Sequence, residues 1–210
     1  MLITIFQWFV KITAWPVEKL LLKIRVRCAE PEKQSRYPKG GAIIVSNHTN
    51  VYDFAALLFA FWTRTIRVQM AEILFTRPGL GLFLKQMGGI RVDRDAHSTA
   101  CLDKSAAILK KGGLVGVFPE GRLPLPGEER PLPFREGAAY LALETGVPVI
   151  PVYISGRYFS REGIRVTIGT PLDLRGMCDP AADPRQAVRE CSRLLREKVM
   201  ELGEVPTHGA

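Results

Sequence analysis

The run Ala42-Ile43-Ile44-Val45 is the stretch on which the fold turns. Four apolar residues with no polar alternation describe a strand buried on both faces, the kind found in parallel sheets covered by helices. A polar segment, Ser46-Asn47-His48-Thr49-Asn50, follows it, and Asp53 to Trp62 then reads as a largely apolar helix. The alternation continues with a strand at Ile66 to Met70, a short helix around Leu80 to Gln86 and a third strand at Gly89 to Val92. Ser98 can cap a helix running to about Lys111, closed by Gly112-Gly113, after which Leu114 to Phe118 is another buried strand. Further along come a proline-rich surface loop from Gly121 to Pro133, a helix from Glu136 to Thr145 and a strand at Val149 to Tyr153. A last strand is expected at Arg165 to Ile168, and Pro184 to Leu202 reads as an amphipathic helix. Strands apolar on both faces and separated by helices define the expected class, an α/β domain with a mostly parallel central sheet covered by helices.

Working outward to the N-terminus, Met1 to Val26 is mostly apolar, but Lys11, Pro16, Glu18, Lys19 and Lys23 interrupt it. No run approaches the ~20 residues that span a bilayer. Leu2, Ile5, Phe6, Phe9 and Ile12 recur at helical spacing, with Trp8 and Trp15 nearby. That pattern fits a helix lying in a membrane interface, the alternative being a helix docked on the domain's own core. The expected organisation is therefore an amphipathic membrane-associating segment at residues 1–27 and one domain at residues 28–210. The residues from Cys28 to Gly41 read as a connector within that domain.

At 210 residues and 47% apolar the chain has ample material for one core, and the net charge of +8 favours an anionic partner. Nucleic acid, an anionic lipid surface and phosphorylated metabolites all fit the charge. Against nucleic acid, the cations are dispersed and no recognised nucleic-acid-binding pattern occurs. The four cysteines are widely spaced, which suggests neither a zinc ribbon nor a disulfide framework and makes a reducing cytoplasmic face the simplest setting.

Chemistry gathers at strand ends in folds of this class. His48 lies just beyond the first long strand, and Asp53 falls in the first turn of the next helix. On a continuous helix two side chains five residues apart diverge by about 140°, so they meet only if His48 is in the loop and Asp53 points back. In that arrangement Asp53 accepts the Nδ1 proton and frees the opposite nitrogen as a general base. With three histidines and seven aspartates in the chain, one such spacing arises by chance about one time in ten. Later strand ends add weight: Gly88 to Arg94 carries cations, and Phe118-Pro119-Glu120-Gly121-Arg122 carries a carboxylate, a flexible glycine and a cation. The strand Val147 to Val152 is stiffened by two prolines.

Asn47 to Asp53, Gly88 to Arg94, Phe118 to Gly121 and Val147 to Val152, in that order, resemble the four motifs of the phospholipid and glycerol acyltransferases, the family of 1-acylglycerol-3-phosphate O-acyltransferases. The resemblance runs from about Pro38 to Asp173 and implies the glycerol-phosphate acyltransferase fold. It implies His48 as general base, Asp53 as its orienting partner, Arg91 and Arg94 as phosphate contacts, and Glu120, Gly121 and Arg122 as parts of the acceptor site. The reaction so implied is transfer of an acyl chain from a thioester to the sn-2 hydroxyl of 1-acylglycerol 3-phosphate, giving phosphatidic acid. No metal or cofactor is expected, only acyl-CoA or acyl carrier protein as co-substrate, an anionic lysophospholipid acceptor and a membrane surface. The expected location is the cytoplasmic face of the cell membrane, peripheral or monotopic.

The chain departs from the family pattern in two places. Arg122 follows the FPEG glycine where relatives often carry threonine, and Met70-Ala71-Glu72 lacks the lysine often found past the second strand. Arg122 or Arg135 is the candidate replacement. The alternatives within this reading are another lysophospholipid, glycerol 3-phosphate or a lyso-aminolipid as acceptor, or a non-catalytic lipid-binding relative. A nucleophilic route is not favoured, because no G-x-S-x-G elbow occurs and His97 with Cys101 is the spacing any amphipathic helix yields.

Overall fold

A computed structural model of the chain describes residues 1–34, 36–93, 99–125, 127–128, 130–177 and 183–204. Arg94, the Ser98 cap, His97, Cys178 and His208 lie outside the described residues. The elements in order are α1 (Leu2–Val17), β1 (Arg25–Cys28), β2 (Ala42–Ser46), α2 (Asp53–Ala60), β3 (Ile66–Ala71) and α3 (Leu80–Gln86). They are followed by β4 (Ile90–Val92), α4 (Ala100–Lys110), β5 (Leu114–Val117), α5 (Gly137–Thr145), β6 (Val149–Gly156), β7 (Ile164–Ile168), α6 (Leu174–Met177) and α7 (Pro184–Glu204). One seven-stranded sheet runs in the order β1-β7-β6-β2-β5-β3-β4. β2 is central, paired in parallel with β5 and β6, and β3 is parallel to β5 and β4. The sheet is mostly parallel, the exception being β7, which is antiparallel to β6 and parallel to β1.

The unbroken apolar run of β2 is needed because both of its faces are covered. Ala42 and Ile44 join a core with Leu57, Phe61, Val68 and Ile150, beneath α2 and α1. Ile43 and Val45 face the other way, into a core with Leu109 of α4, Leu141 of α5 and Leu195 of α7. All of the β2 residues are buried. The strand Arg25–Cys28 was read from sequence as the end of the N-terminal segment, yet it pairs residue for residue with β7, so the sheet takes in residues on both sides of position 27. Cys191 is disulfide-bonded, which the wide cysteine spacing does not suggest, whereas Cys28 and Cys101 are free.

Helix α1 docks on the domain by an unusual stripe. Its two buried side chains are polar, Gln7 and Lys11, each 1% exposed. Gln7 donates to the carbonyls of Ile66 and Met87 and accepts from Ile66 N–H. Lys11 Nζ donates to the carbonyls of Phe61, Trp62 and Arg64 at 2.7–3.2 Å. Phe6, Val10 and Ala14 pack beside them against the core. The opposite face is apolar and open: Leu2 is 80% exposed, Phe9 60% and Ile12 62%. A wide turn at Glu18–Leu22 continues that open face, with Leu20 71% exposed. Among the described residues no helix is long and apolar enough to cross a membrane.

Candidate active site

Parallel pairing sets the site. Val45 of β2 is the register partner of Val117 of β5, so His48 and Glu120, each three residues further on, emerge side by side at the carboxyl edge of the sheet. β6 flanks β2 on its other side, with Ser46 opposite Val152. The Asn47 side chain extends that ladder by accepting from Ile154 N–H at 2.7 Å and donating to its carbonyl at 2.9 Å. This amide stands in for a strand peptide where the chain leaves the sheet, and it fixes the start of the loop that carries His48.

His48 lies in the loop and Asp53 at the first turn of α2, fully buried. The chain doubles back between them, bringing His48 Nδ1 to 2.9 Å from Asp53 Oδ2. The same oxygen accepts from Thr49 N–H at 2.6 Å and Asn50 N–H at 2.9 Å, so the loop is wrapped around the carboxylate. Asp53 Oδ1 accepts from the Tyr158 hydroxyl at 2.7 Å. Burial first, and then the charge of Asp53 beside it, push the Tyr158 phenol well above its ordinary range, so it keeps its proton and donates. Phe118 stacks on the His48 ring with centroids 4.4 Å apart, fixing the plane of the imidazole. With Nδ1 directed at the carboxylate, the second ring nitrogen, Nε2, is the one available for proton transfer.

Glu120 is buried and turned into the protein. Its two oxygens accept from His48 N–H at 2.7 Å and from Leu132 N–H at 2.9 Å, tying the loop of His48 to the proline-rich loop. Burial raises its pKa, opposed by those two N–H groups. The carboxylate thus shapes the site through the backbone on either side of it. Gly121 follows in the left-handed region at φ +72°, and a Cβ there would lie 2.6 Å from Arg135 Nε. Its conformation and the guanidinium laid across it both require glycine.

The arginines are distributed otherwise than their order in the chain suggests. Arg91 pairs with Glu72 and lies over the Phe75 ring, 5.9 Å from its centroid. Arg122 makes two 2.6 Å bonds to Glu128, whose carboxyl that hydrogen-bonded guanidinium holds down to about 2. Neither lines the cavity onto which His48 opens.

That cavity is about 620 Å3 in volume and runs from His48 and Phe118 past Val68 and Met70 to Leu84 and Leu102. Its lining is mainly apolar. No sequence signal pointed to it, because its walls are drawn from β3, α3, α4 and α5, elements far apart in the chain. Tyr158 was missed for a similar reason: it lies 105 residues from Asp53 and just past the end of β6. A tyrosine at that strand end is visible in sequence, but its target is fixed only by the pairing of β6 with β2.

A catalytic-type His and Asp at the carboxyl edge of a parallel sheet, opening on an apolar cavity, agree with what comparison with known proteins finds. The solved structure of the 1-acyl-sn-glycerophosphate acyltransferase PlsC from Thermotoga maritima superposes with a TM-score of 0.62 at 21% identity, covering 98% of this chain and 97% of that one. This likeness establishes the fold. The chain is 27% identical to the 1-acyl-sn-glycerol-3-phosphate acyltransferase beta of Homo sapiens over 216 residues, 97% of this chain and 73% of the relative. It is 28% identical to the 1-acyl-sn-glycerol-3-phosphate acyltransferase of Haemophilus influenzae, over 87% of this chain and 77% of that protein. A family model described as Acyltransferase matches residues 25–155, from β1 through nearly all of β6. The chain belongs to the acyltransferase family and is an acyltransferase enzyme.

Proposed function

We propose that the protein transfers an acyl chain from a thioester, acyl-CoA or acyl carrier protein, to the sn-2 hydroxyl of 1-acylglycerol 3-phosphate, with His48 as general base. The observation that carries this reading is the His48–Asp53 pair opening on an apolar cavity of acyl-chain dimensions. Nε2 of His48 takes the hydroxyl proton as the oxygen attacks the thioester carbonyl carbon. The tetrahedral intermediate collapses by breaking the C–S bond, and the departing thiolate takes the proton back from the imidazolium. Asp53 holds the ring orientation throughout and offsets its transient positive charge. No acyl-enzyme is needed, since a thioester is already a competent donor and positioning supplies much of the acceleration. The names of the human, Haemophilus and Bacillus subtilis relatives support 1-acylglycerol 3-phosphate as acceptor.

The enzyme would work peripherally on the cytoplasmic face of the cell membrane, where its thioester donors are made. Support for a membrane surface comes from the open apolar face of α1, and the net charge of +8 suits an anionic lipid. Purified enzyme given acyl-CoA and 1-acylglycerol 3-phosphate should release free thiol and form phosphatidic acid. His48→Ala should lower the rate by at least about 10³-fold while its circular dichroism matches wild type. Undiminished turnover by a folded His48→Ala enzyme removes the general-base mechanism. A wild type that prefers glycerol 3-phosphate, a lyso-aminolipid or another lysophospholipid replaces the acceptor, and one inactive on the whole panel points to a non-catalytic lipid-binding protein.

A further inference from the structure

The cavity beside His48 carries two cations and no carboxylate. Arg77 and Arg135 both contribute to its lining, which is otherwise apolar or neutral apart from His48 itself. Arg77 belongs to the segment entering α3, where Gly81 N–H donates to its carbonyl at 2.8 Å. Arg135 belongs to the segment entering α5, its own N–H donating to Pro119 O at 2.8 Å and its guanidinium lying against Gly121. Both backbones are therefore anchored, Arg135 directly on the strand-end segment whose Phe118 stacks on His48. Both guanidinium groups are exposed, and among the described residues neither has a hydrogen-bond or ion-pair partner. Arg91 and Arg122 differ in that respect, since each is already engaged by a carboxylate, Glu72 and Glu128.

A cavity built only to hold a hydrocarbon chain has no use for unpaired guanidinium groups, which cost free energy to bring near apolar walls unless an anion meets them. Guanidinium presents a planar fork that matches two phosphate oxygens, and two forks from separate elements can divide the oxygens of a terminal phosphomonoester between them. We propose that Arg77 and Arg135 form the phosphate grip of the acceptor site, holding the phosphomonoester at the cavity while the neighbouring hydroxyl meets His48. This assignment rests on the acceptor reading above. It also gives the missing lysine past β3 a local replacement, because Arg77 follows in the next turn of chain.

The test compares acceptors that differ only in the phosphate. Wild type, Arg77→Ala, Arg135→Ala and the double variant are assayed with acyl-CoA against 1-acylglycerol 3-phosphate and against uncharged 1-acylglycerol, and melting temperatures are recorded for each. Each single variant is expected to lose about tenfold or more in kcat/KM on the phosphate acceptor, mainly through KM. On the uncharged acceptor it should stay within about twofold of wild type, and the KM for acyl-CoA should not move. Arg→Lys at either position should recover part of the loss, as a charge without the fork. An equal loss on both acceptors, or a rise confined to the KM for acyl-CoA, overturns the grip, the second outcome assigning the arginines to the donor's phosphates. If wild type turns over the phosphate acceptor and both variants match it, the grip alone fails. If wild type rejects every phosphate-bearing acceptor, the acceptor reading and the grip fail together.

Discussion

Asp53 is a fully buried carboxylate that accepts from five donors: His48 Nδ1, the N–H groups of Thr49 and Asn50, the Thr49 hydroxyl and the Tyr158 hydroxyl. Burying a charge is costly unless hydrogen bonds replace its hydration, and here they come from three directions. Four of the donors arise within the five-residue loop and are legible once Asp53 is known to point backwards. The fifth is not legible, because it depends on the packing of α2 against the end of β6. Tyr158→Phe keeps the ring and removes only the donor on Oδ1. It is expected to cost about 1 kcal/mol of stability and to lower kcat several-fold with little change in KM, since the loosened carboxylate orients His48 less well. Steady-state kinetics beside urea unfolding check this, and a KM rise with kcat unchanged sinks it. Glu120 acts by the same logic on the backbone. Glu120→Ala leaves the buried N–H groups of His48 and Leu132 without acceptors, so a stability loss of about 2 to 4 kcal/mol is expected together with reduced kcat.

Helix α2 is the element that joins the site to the N-terminal helix. Its first turn holds Asp53, and its last carbonyls, which no helix can satisfy internally, are answered from outside. Arg36 donates to Phe59 O and Ala60 O, and Lys11 of α1 donates to Phe61 O, Trp62 O and Arg64 O. Anion at the start and cations at the end both complement the helix dipole. The strands β2, β3, β5 and β6 were legible because continuous apolar runs between helices have few other solutions. The inward face of α1 was not, since hydrophobic periodicity points to Ile5, Phe9 and Ile12 while the side chains that dock are Gln7 and Lys11. Nor was β1: its residues alternate arginine with Val26 and Cys28, an edge-strand pattern that shows itself only when β7 is alongside. Lys11→Met keeps the length of the side chain but leaves three carbonyls unanswered, and is expected to cost about 1 to 3 kcal/mol near pH 7. Burial, and then the nearby charge of Arg36, lower the Lys11 ammonium from 10.5 to about 8. Between those values the unfolded chain holds a proton that the folded chain has released, so this group makes stability rise with pH. The stability of wild type minus that of Lys11→Met should therefore grow from about pH 8 toward pH 10.5, and a difference that stays flat or shrinks across that window removes the assignment.

At the scale of the whole molecule, the polar docking of α1 releases its apolar side chains for another surface. Leu2, Ile5, Phe9, Ile12, Trp15, Leu20 and Leu21 are all exposed, and a monomer in water has no means of burying them. The proposed membrane surface supplies one, and α1 then links the bilayer to α2 and the site through Lys11. Burying a large apolar side chain is worth roughly 1.5 to 3 kcal/mol, so a few of them outweigh the cost of confining the protein to a surface. Phe9→Glu with Leu20→Glu places two charges on the open face without touching Gln7 or Lys11. The double variant is expected to retain its melting temperature and its activity on an acceptor dispersed in detergent. Its partition onto vesicles containing anionic phospholipid should fall by at least about tenfold, and turnover of acceptor embedded in those vesicles should fall with it. Raising salt should weaken the binding of wild type only in part, because the apolar contribution is not screened. Unchanged vesicle binding by the folded variant would rule out α1 as the membrane face, and lost activity in detergent would show that these side chains serve the domain itself.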